Sequence, residues 1–344
     1  MSRKFALVWA IVALPVVCFV FSCGEEVTPV GSNREGDEEL SSGWNITVQT
    51  SGVEATLQEI SISPDSGDVW VVGNEGTILH TSDKGATWES QDGGIAGSLY
   101  CVCFVNDTDG WAGGDGGAVI HTTDGGATWE TQNSGITERL RGVFFANDTE
   151  GWLVGEGGMI IRTRDGGAEW NPQASRTNQI LEAVHFAPPK AGEVLVERGW
   201  AVGGNGTIAY TGNAGSAWTL QPVKDVPEPL YGVFFDNESK GWAVGKSGTI
   251  LRTSNGGQSW GRSAAAAAKG KNLYDVFFIN AADGWCVGSG GKLMHSPDGK
   301  NWDAIETEAS KEVDTPLWGV AFADSAEGWA VGDAGVILHI EQVQ

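Results

Sequence analysis

Residues 230–260 read LYGVFFDNESKGWAVGKSGTILRTSNGGQSW. Three short apolar runs stand out, Leu230–Phe235, Gly241–Gly245 and Gly248–Thr253, and a fourth run is expected around Trp260. Runs of this length, rich in aromatic and β-branched residues and bounded by Gly, Asn, Asp and Ser, read as strands. Gly245 and Gly248 bracket a hairpin turn between the second and third. The Gly-Trp dipeptide that opens the second run recurs at Trp111, Trp152, Trp200, Trp242, Trp285 and Trp329, and Asp68-Val69-Trp70 is a degenerate seventh copy. Units of about 40–45 residues with four strands each, repeated seven times, specify an all-β, seven-bladed β-propeller. Both faces of a blade are buried against neighbours, which explains runs such as Val-Phe-Phe that do not alternate.

The repeat also accounts for the composition. The 344 residues include 51 Gly and 16 Trp, against an ordinary Gly usage of about 7%. Many of these glycines fall at turns where φ must be positive. A hydrophobic content of 41% excludes wholesale disorder. The formal net charge of −23 repels polyphosphate, so nucleic acid is not an expected partner.

The repeat further shows how the ring closes. Trp follows the third run at Trp88, Trp129, Trp170, Trp218, Trp260 and Trp302, but the seventh unit ends at Gln344 without one. Trp44-Asn-Ile-Thr-Val-Gln-Thr-Ser-Gly matches Trp129-Glu-Thr-Gln-Asn-Ser-Gly, so Trp44 and the strand after it are expected to supply the missing outer strand. The propeller is therefore assigned to residues 44–344.

The segments before these tryptophans, Thr81-Ser-Asp83-Lys-Gly85-Ala-Thr-Trp88, Thr122-Thr-Asp124-Gly-Gly126-Ala-Thr-Trp129 and Thr163-Arg-Asp165-Gly-Gly167-Ala-Glu-Trp170, resemble the Asp-box, or bacterial neuraminidase repeat, S/T-x-D-x-G-x-x-W. Asn213 and Asn255 replace the Asp before Trp218 and Trp260, and Asp298 to Trp302 forms a version one residue shorter. The acid or amide is expected to accept N–H bonds within the turn while the Trp closes over it, as a folding device. The whole repeat, L-x-x-V-x-F followed by G-W-A-V-G-x-x-G-T-I-L-x-T-x-D-G-G-x-x-W, resembles the photosystem II stability/assembly factor family over residues 44–344. That resemblance implies a non-catalytic propeller that binds a membrane protein or complex subunit and needs no cofactor. A monomer is expected. The alternative is an extracytoplasmic glycan-binding or sialidase-like glycosidase module built on the same box.

Two sets of equivalent positions carry chemistry. His80, His121, Arg162, Tyr210, Arg252, His295 and His339 share one third-strand position. Two strands out from the axis, neighbours there stand about 13 Å apart, too far to share a metal, whose ligands lie near 2 Å; packing or a surface role is expected and no metal site. The family pattern often has Arg at this position, and only Arg162 and Arg252 match. The second set follows the Leu that opens each first strand: Gln58, then Tyr100, Arg141, Glu182, Tyr231, Tyr274 and Trp318. Near the axis such residues can converge, so the last six form a candidate binding rim for a peptide or glycan, with inter-blade packing as the competing role. Neuraminidases clamp their substrate with three Arg, and this position offers Arg141 alone. Gly245-Lys246-Ser247 lacks the spacing and following helix of a phosphate loop. No catalytic residue is assigned. Pro188–Gly199, Arg262–Lys271 and Glu306–Pro316 interrupt the repeat length as insertions.

The chain begins with a basic Ser2-Arg3-Lys4, an uncharged apolar run to Ser22, and Cys23. This resembles a bacterial lipoprotein signal peptide, residues 1–22, with Cys23 as the acylated residue, rather than a membrane-spanning helix. Cleavage there removes two cations and no anion, taking the net charge from −23 to −25. Residues 23–43, with six acids and one Arg, read as an acidic flexible tether. The expected location is extracytoplasmic and lipid-anchored. Cys101, Cys103 and Cys286 are left as an odd set, not a disulfide framework, and read as small core residues. Labelled palmitate is expected to enter the wild-type protein and not Cys23→Ala; incorporation that survives the substitution contradicts the anchor.

Overall fold

The computed structural model describes residues 43–190 and 196–343; Cys23, the proposed signal segment and the tether as far as Ser42 lie outside them. Twenty-eight strands form seven antiparallel sheets of four. First strands run Leu57–Ile62, Leu99–Phe104, Leu140–Phe145, Leu181–Phe186, Leu230–Phe235, Leu273–Phe278 and Leu317–Phe322, opening blades one to seven. Within each blade the strands follow in sequence order. The exception is blade seven, where Trp44–Gln49 pairs with Ile337–Gln342 as the outer strand, from Trp44 opposite Gln342 to Gln49 opposite Ile337. The N-terminal strand thus closes the ring as expected.

One packing unit repeats between blades. The second-strand Trp is at most 1% exposed in every blade, and in blades one to five its indole lies flat on the Phe that ends the next blade's first strand. Ring centroids are 3.7 Å apart for Trp70 and Phe104, 3.7 Å for Trp111 and Phe145, and 3.4 Å for Trp200 and Phe235. Stacked pairs of this kind contribute about 0.5–1.5 kcal/mol beyond the burial of their area. The glycine of Gly-Trp follows from the same Phe. A Cβ on Gly110 would fall inside the ring of Phe104, its cross-strand partner, and Gly151 and Phe145 repeat the relation. In blade one Ile62 replaces the Phe, and its partner is Val69 rather than Gly. The degenerate seventh copy is therefore a paired change on two strands.

The opposite face of each Trp carries the third-strand residue. His80, His121 and His339 stack on Trp70, Trp111 and Trp329, and the Arg162 guanidinium sits 5.3 Å above the ring of Trp152. Packing on the Trp is the role six of the seven positions share, Arg252 being the exception among the described contacts.

The Asp-box turns form as expected. Asp83 Oδ1 accepts from the Thr87 amide at 2.9 Å, and Thr81 Oγ accepts from the Gly85 amide at 2.9 Å. Asp124, Asp165, Asn213 and Asn255 repeat the bond four residues on. The shortened box bonds Asp298 to the amides of Lys300 and Asn301, both at 2.8 Å, which holds its carboxyl down to about 2. The box Trp does more than close its own turn. Trp88, Trp129, Trp170 and Trp260 donate Nε1–H to Gln49, Gln91, Gln132 and Gln221 of the preceding blade. Trp44 lacks a box but packs edge-on against Phe322, as Trp129 packs against Phe104.

Boundaries differ in two details. Lys246–Gly248 forms a 3-10 turn, so the third strand starts at Ile250, and the fourth strand is Gly261–Arg262, after Trp260 rather than around it. Of the insertions, Arg262–Lys271 holds a 3-10 turn at Ala266–Ala268, and Glu306–Pro316 holds a helix at Glu308–Glu312 with a Thr307/Ser310 capping box. Cys101 and Cys286 are buried in apolar clusters and the half-buried Cys103 packs against that of Cys101, while Cys101 and Cys103 also line the axial cavity. All three are free thiols.

Deleting residues 44–49 removes buried Trp44 and Ile46 and bares the edge of the last strand. At a few kcal/mol for each large side chain, the melting temperature is expected to fall by about 10 °C or more. A fall within about 2 °C contradicts the closure.

Candidate functional site

The first strands surround an axial cavity of about 530 Å³. Each first strand carries a β-bulge at the residue after its opening Leu. Register shifts between Leu57 and Glu59, Leu99 and Cys101, Leu140 and Gly142, and at the same place in the other four blades. The bulged residues are Gln58, Tyr100, Arg141, Glu182, Tyr231, Tyr274 and Trp318. A bulge takes its residue out of the ladder and re-aims the side chain. Each blade thus carries one side chain outside the ladder, of which Arg141, Glu182, Tyr231, Tyr274 and Trp318 line the cavity mouth while Gln58 and Tyr100 stand outside that lining.

The mouth has two unlike halves. On blades five to seven, Tyr231 lies 5.5 Å from Tyr274, which stacks on Trp318 at 4.2 Å. Trp318 is fixed by an Nε1–H bond to Asp333 Oδ1 at 2.8 Å. Asp333 begins the turn between the second and third strands, and Gln58 bonds the equivalent Asn74 at 2.9 Å. On blades two to four, charged side chains gather around Tyr100. Arg139 and Arg141 lie over the ring of Tyr100 at 4.9 and 5.1 Å. Arg139 holds Asp115 at 2.6 Å, and Arg141 stands 3.6 Å from Glu156 and 3.9 Å from Glu182. Burial, and then the neighbouring Glu156, raise the Glu182 carboxyl, while Arg141 draws it back. The phenol of Tyr231 is raised by burial, with Glu182 and Tyr274 adding to it.

Several residues here escaped the repeat reading. Arg139 reaches the mouth from the loop before Leu140, so two Arg meet where one was counted. Aligning the residues just before each opening Leu would have found it. Below the mouth stand Glu59 and Asp275, on either side of blade seven. Asp275 accepts from the amides of Val276 at 2.7 Å and Val320 at 3.0 Å, and Glu59 from the Ile60 amide at 3.0 Å. Burial outweighs these bonds. It raises Asp275 to about 6, and it raises Glu59 well above the carboxylate range with the repulsion of Asp275 added. Deeper still, His185 Nδ1 accepts from the Phe235 amide of the next blade at 3.3 Å, and burial lowers its pKa to about 4.

The one triad of metal-ligand type among the described residues, Glu327, His339 and Glu341, lies elsewhere, on blade seven. Its Glu327 is already bonded to His339 at 3.1 Å and to Lys84 at 2.6 Å.

Fold and site together define an Asp-box propeller that presents a ring of bulged side chains at one end of its axis. The chain belongs to the family described as photosynthesis system II assembly factor YCF48, whose sequence profile matches residues 92–183, 194–254 and 257–343. The match leaves out blade one, the degenerate copy. Solved structures share the fold. YCF48 bound to D1 peptide superposes with a TM-score of 0.69 at 21% identity, covering 86% of this chain and 94% of that one. YCF48 from Cyanidioschyzon merolae gives 0.70 at 20% identity, with 86% and 98% covered. A virginiamycin B lyase from Staphylococcus aureus gives 0.71 at 14% identity, with 87% and 99% covered, a likeness of fold alone. No curated protein matches the sequence.

The acid pair has a readable pH signature. Carboxyls raised above their unfolded values of about 4 add stability fully present below that pH and lost as pH rises through the folded values. His185 works oppositely, since a lowered imidazole destabilises the fold as pH falls from about 6.5. Comparing wild type with Glu59→Gln/Asp275→Asn cancels the His185 contribution. The variant is expected to gain melting temperature relative to wild type as pH rises from 4 to 7. A difference that stays flat over this range contradicts the assignment.

Proposed function

We propose that the channel mouth holds an extended peptide segment of a membrane-complex subunit, and that the protein is a non-catalytic assembly factor of the photosystem II type. In this reading it acts as a monomer outside the cytoplasm, tethered by lipid on Cys23 through the acidic segment. Family membership supports the class of function, and a relative of the same fold is described as bound to D1 peptide. The observation that carries the reading is the bulge ring. Five of the seven side chains freed from the ladder line a cavity of about 530 Å³, large enough for a few residues of extended chain and too small for a folded domain. Tyr231, Tyr274 and Trp318 offer apolar faces at small entropic cost, and Tyr100, Arg139, Arg141 and Glu182 offer hydrogen-bonding partners across from them.

The experiment is a fluorescence-anisotropy titration of labelled D1 peptide with the full-length protein. Wild type is expected to bind saturably, and Tyr231→Ala/Tyr274→Ala/Trp318→Ala at least tenfold more weakly. Unchanged affinity in the variant rejects the mouth as the site. Absence of peptide binding together with saturable binding of a sialylated glycan assigns the mouth to the glycan module instead.

A further inference from the structure

In most blades the third-strand residue faces an acid twelve residues earlier in the chain. His80 meets Asp68 at 3.1 Å, His121 meets Asp109 at 3.9 Å, His295 meets Asp283 at 2.8 Å, His339 meets Glu327 at 3.1 Å, and Arg162 pairs with Glu150. In blade four the position holds the uncharged Tyr210 with Arg198 twelve residues earlier, and blade five departs from the rule with a cation. The residue twelve before Arg252 is Lys240, and among the described residues no carboxylate pairs with Arg252. The Asp-box of the same blade has Asn255 in place of an acid, which removes a further negative charge next to it.

Two other departures from the repeat meet at the same place. The insertion after blade five and the shortened box of blade six touch through a parallel bridge between Ala264 and Asn301. Between them lies a groove of about 480 Å³, lined by Arg252, Arg262 and Lys300 together with Ser254, Ser259, Ser263 and Asn301, and by no carboxylate. Arg262 is shared with Glu228 at 3.3 Å. The nearby Asp298 carboxylate is turned into its own turn, bonding the Lys300 and Asn301 amides. In a chain of net charge −23, an acid-free groove with three cations runs against the field of the rest of the surface.

We propose that this groove binds a sugar carrying an oxyanion, sulfate or phosphate. The guanidinium of Arg252 and the ammonium of Lys300 take the oxyanion through charge-assisted hydrogen bonds. The serine hydroxyls and the Asn301 amide take the sugar hydroxyls. The site lies at the Asp-box end of blades five and six and shares no residue with the channel mouth, so it stands or falls apart from the peptide reading. A free acidic glycan and a glycolipid headgroup present the same chemistry.

Calorimetric titration of the full-length protein with glucose 6-sulfate, and with glucose as comparator, tests the assignment. Saturable binding of the sulfate ester is expected, at least tenfold tighter than glucose, and weakened by raising salt to about 0.5 M. Arg252→His/Lys300→Gln is expected to lose tenfold or more, while the mouth variant binds as wild type does. His is the residue that blades one, two, six and seven carry on their Trp, so this variant keeps the packing. In a second arm, wild type and variant are compared on vesicles with and without a sulfated glycolipid, so that the lipid anchor cancels. A gain on sulfated vesicles that the variant lacks supports a headgroup source, and binding of the free ester alone supports a glycan. No saturable binding in either arm, or variant binding equal to wild type, overturns the proposal.

Discussion

The contact on which the rest of the structure depends is the flat stack of a second-strand Trp on the Phe ending the next blade's first strand. It fixes the distance and angle between blades, and it dictates sequence on several strands at once. The Phe requires Gly opposite it, as Gly110 faces Phe104. The Trp requires a flat or cationic cover on its outer face, supplied by His80, His121 or Arg162. In three blades its Nε1–H also reaches the next box, from Trp70 to Gly125 O at 3.1 Å, from Trp111 to Gly166 O at 3.1 Å and from Trp242 to Gly299 O at 2.8 Å. A second tie, from the box Trp back to a Gln of the preceding blade, fastens the outer edge. Where both ties are present, a blade is held to its neighbour near the middle and at the rim of the disc. A chain held in this way is only as stable as its closure, and blade seven is completed by Trp44–Gln49.

Because these positions are committed to the ring, the proposed binding role draws on those the stack leaves free. The bulge after each opening Leu is such a position. Its backbone is out of the ladder and its side chain takes no part in the Trp-on-Phe stack, and Tyr, Arg, Glu and Trp occupy the position around the mouth. The groove between blades five and six arises differently. There an acid has become Lys240, a box acid has become Asn255, and two segments have changed length. Departures from a repeat are informative where several meet at one place.

Fold and closure were legible because both rest on spacing, which a linear sequence records directly. The Gly-Trp period gives the blades, and the missing seventh box Trp points to Trp44. The rim was legible as a set of equivalent positions, but not as a set of bulges, since a bulge is a relation between paired strands and Leu140 and Gly142 look continuous in sequence. Arg139 was missed because it belongs to a loop of variable composition. Glu59, Asp275 and His185 were missed because their roles depend on burial beside the axis. Nothing in their neighbouring residues distinguishes them from solvated groups. The box Trp was read as local to its turn, and only the packed blades reveal Gln91 as the partner of Trp129.

The central claim is that stacked residues build the ring while bulged residues do the binding. Amide hydrogen exchange of the full-length protein with and without D1 peptide measures this most directly. The account predicts added protection in the segments around Tyr100, Arg141, Glu182, Tyr231, Tyr274 and Trp318, and none at the Asp-box turns. Protection confined to the Asp-box turns, with the bulge segments unchanged, would contradict it.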